Sequence, residues 1–156
     1  MASLLYEKIN ETLLRKITDC DILHIPEEDG NKQLAGYLHS TVSKPYCRRL
    51  FSSLLLDDEL EEVTYDLNVT TDESQDEDFV TEMLALGMLI EWTEPMVNSR
   101  LNQKQLITSS KESKFYSQQA HMDTLQTMYD AAVKKQRDLI RDRGYIYNPF
   151  NGGTNG

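Results

Sequence analysis

The sequence predicts a mainly α protein: a small helical bundle with a long C-terminal helix, a short strand or hairpin in residues 48–70, and a flexible C-terminal tail. Apolar residues recur at three- and four-residue steps through most of the chain, which is the signature of amphipathic helices. Neither Pro nor Gly interrupts the stretch from Glu112 to Arg143, whereas Gly and Asn dominate from Gly144 onward. At 156 residues the chain suits one core. A single helical domain over 1–143 and a flexible or partner-docked arm over 144–156 are therefore expected.

The first helix is read from Leu4, Leu5, Ile9, Leu13, Leu14 and Ile17, with Ser3 as N-cap and Glu7 and Glu11 toward its positive end. Cys20 to Ile25 forms a short apolar run closed by Pro26. A second helix begins near Pro26, carries Glu27, Glu28 and Asp29 in its opening turn, and buries Leu34, Tyr37, Leu38, Thr41 and Val42. Lys44-Pro45 ends it. Arg48 to Leu56 fits either helix or strand. Glu61 to Leu67 alternates, so that Val63, Tyr65 and Leu67 face one way, as in a short edge strand.

Asp72 to Asp78 supplies N-cap candidates and negative charge for the next helix. That helix carries the most apolar stretch of the chain, MLALGMLIEWTEP, residues 83–95. Its apolar positions cover most of the circumference, which marks a central helix packed on several sides, with Met83, Leu86, Ile90 and Trp92 as core anchors. Gly87 costs about 1 kcal/mol relative to alanine in a helix, so a close helix crossing is expected there. Pro95 is expected to end or kink the helix, with a new one over Met96 to Gln105. In the last helix Phe115, Met122, Leu125, Tyr129, Ala132 and Leu139 follow a 3.5-residue seam, with Gln118 and Gln136 at the remaining seam positions, where polar residues cost stability and can fix register or copy number. Met128, Val133 and Ile140 form a flanking stripe, as on a helix that touches its own bundle on one side and something else on the other.

Charge narrows the function classes. The formal net charge is −10, which argues against a sequence-independent nucleic-acid clamp. Residues 57–78 hold eleven acids and no base, whereas residues 99–143 hold nine bases against five acids. Such segregation suits a head-to-tail contact between copies, a neutralised contact within the fold, or a solvated loop beside a solvated helix face. The candidate interface residues are Asp57, Asp58, Glu59, Glu61, Glu62, Asp72 and Glu73 on the acidic side. On the basic side they are Lys134, Lys135, Arg137, Arg141 and Arg143, joined by Tyr145, Tyr147 and Phe150 of the tail.

Enzymatic and metal chemistry find little support. A calcium loop starting at Asp72 would use Ser74 and Asp76, but Glu77 stands where glycine is needed and Met83 where glutamate is needed. Asp19, Cys20, Asp21 and His24 cluster without completing a ligand set. No Gly-x-Ser-x-Gly and no phosphate-cradling glycine loop is present. Glu91 and Glu94 flank Trp92, an arrangement read as helix-end carboxylates near a basic partner. No catalytic residue, cofactor or metal is expected. Cys20 and Cys47 are not spaced as a zinc or redox pair, and MASLLYEK lacks the features of a leader, so free thiols in a reducing cytosol are expected. The apolar run between Glu82 and Glu91 falls far short of the roughly 20 residues a membrane span needs.

ITDCDILHI, LGMLIEWTEPMVNS, SKFYSQQAHMDTLQTMYD and RDRGYIYN, in this order, resemble the small neck proteins of tailed bacteriophages. These are the head–tail connectors, or adaptors, that form a ring beneath the portal. The resemblance runs from Leu4 to Asn148 and rests on a pattern: an apolar helix ending in Glu-Trp, a Pro soon after, a Phe-Tyr-Ser step opening a long helix, and a Tyr-rich exit. It implies a mainly helical virion protein in a ring of about twelve copies between portal and tail. Such a ring contacts the portal and the next neck or tail protein, and double-stranded DNA passes through it without specific binding. The competing expectation is an acidic interaction protein, such as a DNA mimic seated on a basic partner surface.

Overall fold

Alternation and helical periodicity compete in the first seventeen residues, and both are used. The computed structural model describes residues 1–17, 27–106 and 112–146, with side chains at 1–17, 30–98 and 123–144. Strand β1, Ala2–Leu5, precedes helix α1, Tyr6–Ile17. Leu4 and Leu5, read above as helical, therefore belong to a strand. Leu4 is buried opposite Val63 while Leu5 is exposed, a two-residue period imposed by pairing with a strand some sixty residues away. Helix α1 then buries Tyr6, Ile9, Leu13 and Ile17 on one face.

Helix α2, Glu27–Ser43, stops before Pro45, which opens the single turn α3, Pro45–Arg48. Of its expected face Leu38, Thr41 and Val42 are buried and Leu34 and Tyr37 partly so. The ambiguous segment resolves as strand β2, Phe51–Asp57, followed by β3, Glu62–Leu67. The three strands form an antiparallel sheet in the order β1-β3-β2. Val63, Tyr65 and Leu67 do face the core, but β3 is the central strand rather than an edge. The Asp57 side chain accepts the N–H groups of Glu59 and Leu60, which closes the connecting turn. Glu61 takes a left-handed φ of 51° and its carbonyl accepts the N–H of Tyr6, so the hairpin tip is tied to the start of α1.

Helix α4, Glu73–Leu106, is one uninterrupted element. Asp72 caps it by accepting the N–H groups of Ser74 and Gln75. Pro95 neither ends it nor starts a second helix. The ring lies on the exposed side, and in the turn before it the buried Thr93 hydroxyl donates to the carbonyls of Leu89 and Ile90. Every residue from Met83 to Ile90 is buried, as are Trp92 and Thr93, and α4 packs against α1, α2 and α5. The expected central helix is thus present.

Helix α5, Glu112–Ile146, returns antiparallel to α4 and passes through Gly144 before it ends. Leu125, Ala132 and Gln136 of the seam are buried. Gln136 donates to the Met83 carbonyl at 3.1 Å and serves as the register pin expected of a polar seam residue. Beside it, a Cβ built on Gly87 would lie 2.2 Å from Thr41 Cγ2 and 3.0 Å from Gln136 Nε2. Gly87 is the point where α2 and α5 close onto α4. Gly87→Ala is therefore expected to destabilise. Overpacking costs about 1–3 kcal/mol and outweighs the roughly 1 kcal/mol gained in helix propensity. Adding Thr41→Ser, which removes the clashing methyl group, is expected to recover part of the loss in thermal melts.

Phe115, Gln118, Met122 and the Asp19–His24 cluster lie outside the described side chains. So do the side chains of Tyr145, Tyr147 and Phe150.

Candidate functional site

The acidic run divides into three structural settings. Asp57, Asp58, Glu59 and Glu61 form the exposed tip of the β2–β3 hairpin, and Glu62 follows as the first residue of β3. Asp58 accepts the Tyr6 hydroxyl at 2.7 Å, and His39 Nε2 lies 2.9 Å from both of its oxygens. The Tyr6 hydroxyl and then His39 hold the Asp58 carboxyl below its ordinary value. The Tyr6 hydroxyl is raised in turn, by burial first and then by its bond to Asp58. Leu60, at the middle of the tip, is 67% exposed. Asp72 and Glu73 are exposed at the start of α4, where their charge suits the helix dipole.

Asp76 is different, because it is buried. It accepts the N–H and hydroxyl of Thr71 and pairs with Arg143. Burial alone would raise its pKa. The Arg143 hydrogen bond, the two from Thr71 and the Arg143 charge outweigh that and leave it lowered. Arg143 also donates to the Val69 carbonyl at 2.9 Å and lies 4.4 Å over the Phe79 ring. Of the predicted acidic-to-basic contacts, this one is made inside the chain, and it locks the end of α5 onto the start of α4. Of the residues weighed and rejected as a calcium loop, Asp72 caps α4 and Asp76 is paired with Arg143.

The other basic candidates stay on the surface. Lys134 pairs with Asp138 at 3.3 Å, and Arg141 with Asp138 at 3.1 Å. Lys135 and Arg137 are exposed, with no ion pair among the described residues. Arg137 and Arg141 stand on the wall of an open cleft of about 820 Å³ between α3, α4 and α5. Leu50, Ile90, Tyr129, Val133 and Ile140 give it apolar walls, and Lys44, Arg49, Glu91 and Glu94 add charge. Lys44 pairs with Glu91 at 3.3 Å, which is the basic partner expected for that carboxylate. Burial raises the Tyr46 hydroxyl in the same cleft, partly offset by a hydrogen bond with Gln136.

Sequence reasoning nominated neither the cleft nor Lys44, Tyr46 and Arg49. Three cations within residues 44–49, beside a helix break, were the available signal. Val133 and Ile140 of the flanking stripe line it, while Met128, the third residue of that stripe, packs against the core.

Other chemistry is sparse. Cys47 is fully buried beside the Met83 sulfur at 3.7 Å, and burial pushes its thiol up to about 12. Among the described residues, no group of three or more His, Cys, Asp or Glu could hold a metal ion, and no helix is long and apolar enough to cross a membrane. No family model, curated protein or solved structure matches the chain.

Proposed function

We propose that this chain is a structural virion protein of a tailed phage, a connector subunit that assembles as a ring between portal and tail and extends the DNA channel. The observation that carries the reading is the double engagement of α5. Leu125, Ala132 and Gln136 are buried in its own bundle, while Val133 and Ile140 line a groove open to a neighbour. A subunit that must pack both within itself and against the next copy needs such a helix. The ordered resemblance of LGMLIEWTEPMVNS and RDRGYIYN to neck proteins supports the same assignment. A net charge of −10 suits a channel lining that repels the phosphate backbone and lets DNA slide.

A DNA mimic would spread its acids over one rigid face. Here Asp76 is buried and paired, and the remaining acids are divided between the hairpin tip, strand β3 and the start of α4.

Mixing the purified chain with portal rings encoded in the same genome tests the proposal by negative-stain microscopy. An added ring layer on the portal is expected, and portals that stay bare at saturating concentration contradict it. Deleting residues 147–156, which follow the end of α5 at Ile146, is expected to leave the melting temperature within about 1 °C, since every described core residue is retained. The same deletion is expected to weaken assembly on the portal, and an undiminished layer would show that the tail has no part in docking.

A further inference from the structure

The hairpin tip and the cleft are complementary surfaces that one molecule cannot bring together. The tip presents Glu59, Leu60 and Glu61, an apolar side chain between two carboxylates, with Leu60 67% exposed. The cleft presents the inverse: apolar walls from Leu50, Ile90, Val133 and Ile140, with Arg49 and Arg137 beside them. Lys44 is tied to Glu91 and Arg141 to Asp138, so Arg49 and Arg137 are the cleft cations without an ion pair among the described residues.

Within one chain, strand β2 separates the two surfaces. Leu50 of the cleft precedes Phe51, the tip follows Asp57, and a seven-residue strand spans roughly 23 Å. The strand is paired along its length with β3, so the tip cannot fold back onto its own cleft.

We propose that the tip of one copy docks into the cleft of a second copy, Leu60 entering between Val133 and Ile140 while Arg49 and Arg137 receive Glu59 and Glu61. The occupant is a second copy because this chain itself supplies the complementary charge and the apolar knob, held at the far end of the strand that leaves the cleft. Such a contact joins two different surfaces and leaves one of each free at the ends, so it repeats and closes into a ring where the rotation allows. The proposal deepens the connector reading and rests on it for closure alone.

Cysteine trapping tests it on the full chain in a Cys20→Ser background, with buried Cys47 retained. Copies carrying Leu60→Cys and copies carrying Val133→Cys, mixed and mildly oxidised, are expected to give a mixed disulfide dimer that neither variant forms alone. Glu59→Arg with Glu61→Arg is expected to weaken self-association by about tenfold or more through like-charge contact, and Arg49→Glu with Arg137→Glu in the partner copies to restore it. Rings that form without the disulfide, and withstand the charge reversal, overturn the tip-in-cleft contact and leave the connector reading standing. Disulfide-linked chains that never close into rings on the portal support the contact and count against the connector. Trapping that succeeds only once residues 147–156 are deleted would assign the cleft to the tail and overturn the proposal.

Discussion

Trp92→Ala is expected to lower the stability of the fold by about 3–5 kcal/mol, the range for removing a large buried aromatic. Trp92 is 8% exposed and follows the fully buried run Met83 to Ile90 on α4. That helix packs against α1, α2 and α5, so a void there loosens several contacts at once. For a chain of this length the loss corresponds to a fall of roughly 10 °C in melting temperature, at about 2–4 °C per kcal/mol. Calorimetry measures it directly, and an unchanged transition would mean that the indole contributes nothing to the core. Because Trp92 is buried and does not itself line the cleft, any assembly defect should track the fraction unfolded.

Asp76→Ala is expected to cost about 3 kcal/mol or more, because breaking a buried pair from one side leaves Arg143 without its carboxylate. The Asp76 and Arg143 side chains are each 12% exposed, and Arg143 is held further by Val69 and Phe79. Replacing both residues by Leu should recover much of the loss, since no buried charge is then stranded. The pair also sets a pH dependence. The Asp76 carboxyl is depressed in the fold relative to the unfolded value of about 3.9. Its contribution is therefore present above about pH 4 and is lost as the pH falls through the lower folded-state value. Acid titrations of Asp76→Asn should show a shallower loss of stability below pH 4 than the native chain, and coincident acid limbs would remove the pair from the account.

What the sequence made legible was what local pattern can carry. The all-round apolar surface of Met83 to Trp92 announced a central helix, Gly87 a close crossing, and Gln136 a polar pin in the long seam. Leu4 and Leu5 were misread because their conformation is set by Val63 and Glu62, far along the chain, and not by their neighbours. The helix end expected at Pro95 is absent for a related reason. A proline weakens an isolated helix by removing one N–H donor, but the buried residues before it hold this one in the core. The acidic and basic segments were visible as composition, yet composition could not separate Asp76 and Arg143, which neutralise one another, from Glu59, Glu61 and Arg137, which remain exposed. The cleft was invisible because Arg49, Glu91, Tyr129 and Arg137 come from three separate stretches that meet only in the folded chain.

The proposed connector role requires that copies of this chain form a closed ring. Native mass spectrometry of the 156-residue chain, alone and with the proposed portal partner, tests it most directly. A single closed assembly of uniform copy number is expected, either free or on the portal. A monomer at every concentration, with the portal as well as without it, would contradict the connector reading.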